Sequence, residues 1–139
     1  MKRCGLMIGL FLLISAVVLW ADNSEMAQVL DEMTSTMSNY ADLVERAVTT
    51  EDYIQANYVL AAAMEKLGKQ LSKIYLDHGS WFQDPPSGLE RTMERHIEIQ
   101  KRYEEALQKA VKYANEHLED KTYQESFQRL NTAIYSMYE

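Results

Sequence analysis

Residues 24–48 read SEMAQVLDEMTSTMSNYADLVERAV, and this stretch decides the fold. Its seam is Met26, Leu30, Met33, Met37, Tyr40, Val44 and Ala47, spaced by steps of 4, 3, 4, 3, 4 and 3. Such spacing places one side chain per turn on a single helical face, the signature of a helix packed lengthwise against another. The segment predicts one long amphipathic helix from about Ser24 to Val48.

Thr49 and Thr50 follow as a natural break. Either hydroxyl can cap a second helix, and Glu51 and Asp52 suit its positive N-terminus. That helix is expected to reach about Asp77, with Leu60, Met64, Leu67, Leu71 and Ile74 along its seam and Gly79 at its end. Both prolines and two glycines then fall in Gly79-Ser80-Trp81-Phe82-Gln83-Asp84-Pro85-Pro86-Ser87-Gly88, the one obvious loop. Ser87 to Glu90 has the spacing of a capping box. A third helix should therefore run to about His117 through Leu89, Met93, Ile97, Tyr103, Leu107, Ala110 and Ala114. After a short turn, Asp120 is placed to cap a fourth, with Tyr123, Phe127, Leu130, Ile134 and Met137 on its seam. No segment alternates as a strand does. The expected fold is all-α, an antiparallel up-down-up-down four-helix bundle over residues 22–139. A three-helix arrangement with the first two helices merged is the alternative.

The chain opens differently. Met1-Lys2-Arg3 is basic, Cys4 to Trp20 is uncharged and dominated by apolar residues, and Ala21 precedes the polar Asp22-Asn23-Ser24-Glu25. These are the parts of a secretory signal peptide, residues 1–21, with cleavage expected after Ala21. A retained anchor is the alternative, because an apolar run of about 18 residues is near the minimum for crossing a bilayer. Cleavage would place the protein in the periplasm or outside the cell, with no membrane attachment. It would also remove Cys4, the only cysteine, leaving no disulfide. Loss of Lys2 and Arg3 would make the remainder more acidic than the whole chain, which carries −7. An acidic surface without clustered Lys and Arg excludes nucleic acid as an expected partner.

Catalytic motifs are absent from the sequence. His78, His96 and His117 lack the Glu three residues before that di-iron bundles use. There is no H-E-x-x-H, no cysteine cluster and no phosphate-binding glycine loop. The expectation is a non-enzymatic binding or interaction protein without a resident cofactor. Its partner would be a protein or a small apolar ligand, and a homodimer is left open.

Position suggests where a ligand would sit. In an up-down-up-down bundle the start of helix one, the start of helix three, the long loop and the C-terminus share one end. Met26, Met33, Trp81, Phe82, His96 and Met137 are the candidate pocket residues there. Stepping along helix three from Leu89 and Met93 reaches His96, Gln100 and Tyr103, so polar residues interrupt that seam. Met33 and His96 each lie about nine residues into their helices, about 13 Å from the shared end at 1.5 Å per residue. His96 would be the polar anchor of an otherwise apolar pocket.

Two runs carry a family likeness. One comprises Ala106-Leu107, Tyr113-Ala114-Asn115-Glu116, Leu130-Asn131-Thr132, Tyr135 and Tyr138; the other is Ala21-Asp22-Asn23-Ser24-Glu25-Met26. Together they resemble the last helix pair and the mature start of the periplasmic four-helix b-type cytochromes. The resemblance implies an exported four-helix bundle and an early Met as an axial haem ligand, here Met26. It makes a haem-b electron-transfer protein the alternative function. The family's second ligand is a His near the end of helix four, where this chain has Met137 and Tyr138 and no His after His117.

Overall fold

The computed structural model of the chain describes the backbone of residues 23–77 and 90–136, and the side chains of 27–70, 91–92 and 94–136. The described residues form four helices and no strand: α1 (Asn23–Arg46), α2 (Thr50–Asp77), α3 (Glu90–Glu116) and α4 (Lys121–Tyr135). The expected signal peptide, Leu89, Trp81, Phe82 and Met137 lie outside these residues, as do the side chains of Met26, Leu71, Ile74 and Met93.

Local chemistry sets the boundaries. Asp52 accepts hydrogen bonds from the backbone N–H groups of Val48 (2.9 Å) and Thr49 (2.8 Å), while Thr49 Oγ1 accepts from Asp52 N–H (3.2 Å). This reciprocal box starts α2 and draws residues 47–49 out of α1, which ends at Arg46 rather than Val48. Asp120 caps α4 by accepting from Tyr123 N–H at 3.0 Å.

The seams bury as their spacing predicts. Leu30, Leu67, Leu107 and Leu130 are all buried, and so are Met33, Met37, Tyr40, Val44, Leu60 and Met64. One correction falls on α3. Ile97, expected on its seam, is 61% exposed, and the buried face runs instead through His96, Gln100, Tyr103 and Leu107. Tyr103 and Leu107 are four apart and both buried, so they fix the rotation of α3, and the same spacing carried back gives Gln100 and His96.

The helices do not pair chiefly with their sequence neighbours. α1 packs most extensively on α3, and α2 on α4, whereas α3 and α4 touch only sparsely. Along α1 and α3 the contacts advance in the same direction, from Thr34 with His96 through Tyr40 with Tyr103 to Val44 with Lys109. Along α2 and α4 they rise together as well, from Tyr53 with Tyr123 through Asn57 with Ser126 to Glu65 with Arg129. Between α1 and α2 the numbers run oppositely, with Tyr40 on Asn57 and Glu32 beside Lys66.

A buried polar chain threads this core. Tyr40 Oη donates to Asn57 Oδ1 (3.5 Å), Asn57 Nδ2 donates to Ser126 Oγ (3.1 Å), and Ser126 donates to the Tyr123 carbonyl (2.7 Å). It ties α1, α2 and α4 at one level and satisfies groups whose burial would otherwise be costly. Burial pushes the Tyr40 hydroxyl far above the usual phenol range and the Tyr123 hydroxyl up to about 12. Both tyrosines are therefore neutral packing residues. No helix among the described residues is long and apolar enough to cross a membrane.

Candidate binding site

Of the expected pocket residues, the structure describes the side chains of Met33 and His96. Both are buried, Met33 completely and His96 to 1% exposure. Thr34, the residue after Met33, lies 2.9 Å from His96 Nδ1 through its Oγ1. The Thr34 hydroxyl donates its only proton to the Leu30 carbonyl four residues back, at 2.7 Å. It therefore accepts from His96, so Nδ1 carries a proton. Burial holds the imidazole pKa below its usual value.

α4 carries no histidine, and the Met26 side chain lies outside the description. His96 has one ring nitrogen committed to Thr34 in the packed seam between α1 and α3. His117, at the opposite end of α3, is stacked on Tyr113 with ring centroids 3.8 Å apart and bonds its own helix through Nδ1. Tyr113 is sandwiched between His117 and Tyr53, and its hydroxyl lies 2.6 Å from Thr50 Oγ1. This aromatic stack locks the two short turns together.

A second region emerges that the sequence reading did not single out. An open trough runs along the outer side of α1 and α2. One section, of about 660 Å³, is lined by Ala27, Gln28, Asp31, Glu32, Ser35, Thr36, Ala63, Lys66 and Leu67. The adjoining section, of about 330 Å³, is lined by Ser35, Thr36, Asn39, Tyr40, Val59, Leu60 and Ala63. Ser35, Thr36 and Ala63 belong to both, so the two sections are continuous. Small side chains on facing helices leave this space open. Asp31, Glu32 and Lys66 supply charge at one end, and the second section has none.

The trough has a signal in the sequence after all. No charged residue occurs from Met33 to Ala41 or from Tyr53 to Met64. The Tyr40–Asn57 contact lays these two runs side by side. Periodicity accounts for their buried members, but Ser35, Asn39, Gln55, Tyr58, Val59 and Ala62 are exposed and uncharged too. By contrast, the exposed face of α3 is charged at Glu94, Arg95, Glu98, Lys101, Glu105 and Lys112.

Comparison of the chain with protein-family models, with characterised proteins and with solved structures finds no match in any of the three.

Proposed function

We propose that this chain is an exported, non-enzymatic up-down-up-down four-helix bundle that works by binding a partner protein along the trough of α1 and α2. The observation that carries the reading is the charge-free outer surface of the two facing runs. Interface centres are depleted in charge and enriched in tyrosine relative to ordinary surface, with charge kept to the rim. Here Val59 lies exposed in the uncharged section, and Asp31, Glu32 and Lys66 mark one edge of the trough. The trough is shallow and open along its length. A small ligand needs a pocket that encloses most of its surface, whereas a partner's helix needs a long groove between small side chains. The second requirement suits the trough better.

The test is site-specific photocrosslinking in the native host. A photoreactive residue at Ser35, Asn39 or Ala63 should yield a discrete crosslinked band, and one at Lys101 or Lys112 should not. Adding Val59→Arg to the trough probes should abolish that band while the helical circular dichroism is retained. Equal labelling from both faces, or none from the trough, would reject the reading. The alternative, a haem-b electron carrier, predicts an intense visible absorption band in protein purified from that host, and a colourless protein removes it.

A further inference from the structure

We propose that the partner on the trough is a second copy of this chain, bound antiparallel about a twofold axis that passes beside Val59 of α2. The inference rests on the binding reading above and names its partner.

The outer face of α2 carries opposite charges at its two ends. Glu51 and Lys69 are both exposed and stand eighteen positions apart. That is about five turns of helix, so they share one line along its surface. Neither joins an ion pair among the described residues. Between them, Tyr53 to Met64 is free of charge, and Gln55, Val59 and Ala62 are exposed. Glu65 turns away toward α4, where Arg129 lies 3.6 Å from it.

The outer face of α1 is built the same way. Asp31 lines the trough at one end, and Met33 to Ala41 follows without a charge. Exposed Arg46 stands at the other end. It is seven positions beyond Asn39, which also lines the trough, so it falls on the same helical face. Asp42 and Glu45 are turned aside to Arg102 of α3.

The centres of the two patterns coincide. Leu60 is midway between Glu51 and Lys69. The contacts of Tyr40 with Asn57 and of Glu32 with Lys66 set Leu60 level with Met37 or Ser38. The midpoint of Asp31 and Arg46 falls between Ser38 and Asn39. One twofold axis at this level, lying across both helices, therefore sets Glu51 against Lys69 of the second copy. It also brings Asp31 to Arg46 of that copy, and symmetry makes each pair twice. A twofold contact demands this self-complementarity, since the same patch serves both partners. A foreign partner would not require the two helices to share a midpoint. Each copy then covers the uncharged section of the other's trough. The net charge of −7 on each chain opposes association. Its long-range part is screened beyond about 8 Å at physiological salt, and the facing pairs lie closer than that.

Sedimentation equilibrium of the purified protein over a wide range of concentration tests the inference, and it should show monomer and dimer in exchange. Glu51→Lys and Lys69→Glu should each raise the dissociation constant roughly tenfold or more, because each sets two like-charged pairs face to face. The double swap rebuilds both pairs and should return the wild-type affinity. Circular dichroism checks that each variant is folded; if one is not, Asp31→Arg with Arg46→Asp makes the same comparison. A monomer at every concentration, dimers indifferent to the single swaps, or no recovery in the double swap would overturn the proposal. The photocrosslinked band from Asn39 should have twice the mass of the chain. A band of another mass would overturn the second copy and leave the binding reading standing, whereas no band would overturn both.

Discussion

Arg102 of α3 grips Glu45 of α1 through two parallel hydrogen bonds, Nε to Oε1 at 2.8 Å and Nη2 to Oε2 at 2.7 Å. The fork geometry is the one in which arginine binds carboxylate best, and Asp42 adds a third contact. Glu45 is exposed and lies off the apolar seam of α1, yet it is a cross-helix partner. Arg102→Lys should lower the melting temperature because lysine cannot reproduce the fork. Arg102→Met and Glu45→Gln should be markedly non-additive in a double-mutant cycle, with the coupling reduced by salt. Additive effects would show that the pair contributes nothing.

The buried polar chain predicts a different kind of loss. Asn57→Ala removes the partner of both Tyr40 Oη and Ser126 Oγ. Tyr40 Oη is then left buried without its acceptor, at a cost of about 1–3 kcal/mol, while Ser126 keeps its bond to the Tyr123 carbonyl. Urea unfolding should show a fall of at least that size, with an unchanged denaturant slope. A loss within error of zero would mean that water takes the place of the amide.

Packing along the seam is tested by truncation. Leu30→Ala, Leu107→Ala and Leu130→Ala should each cost about 2–5 kcal/mol, because each removes a buried side chain and leaves a cavity. Lys101→Ala, on the exposed face of α3, should stay within about 0.5 kcal/mol. Thermal or urea melts of the four variants decide it, and equal losses in both classes would contradict the assigned helix faces.

The box at the start of α2 couples stability to pH. Thr49→Ala should cost about 1 kcal/mol through loss of the cap. The Val48 and Thr49 backbone N–H groups hold the Asp52 carboxyl below its usual range. A lowered carboxyl contributes stability that is complete above its unfolded pKa and is lost as pH falls through its folded pKa. Asp52→Ala should therefore weaken the protein at neutral pH and flatten its response to acid in the carboxylate range. Chemical denaturation across pH 2 to 7 reads both effects.

Export predicts a defined mature end. The protein recovered from outside the cytoplasm should begin at Asp22, because Ala21 is the small residue between the apolar run and the polar start. N-terminal sequencing or intact mass settles the matter, and recovery of chains that still carry Met1 in the membrane fraction would establish the retained anchor.

The caps of α2 and α4 and most of the described apolar seam positions were legible in the sequence. Met26 to Ala47 repeats at the period of a helix in lengthwise contact, and Asp52 and Asp120 stand where caps are needed. Such features act over a few residues, so local spacing suffices to read them. The interruption of the α3 seam by His96 and Gln100 was legible in the same way. Its outcome was not, because Ile97 and Ile99 offered a competing apolar face. Only packing against α1 turned Ile97 outward and His96 in.

The choice of neighbour belonged to the tertiary structure. Periodicity says which face of a helix is buried, but not which helix covers it, so nothing local could pair α1 with α3 rather than with α2 alone. The same holds for the Arg102 clip and the Thr34–His96 bond, which join residues about sixty positions apart. The trough is of this kind too. Ser35 and Ala63 are unremarkable small residues in the chain, and they bound an open surface only because α1 and α2 lie side by side there. Empty space is a property of two facing elements, and neither sequence run contains it alone.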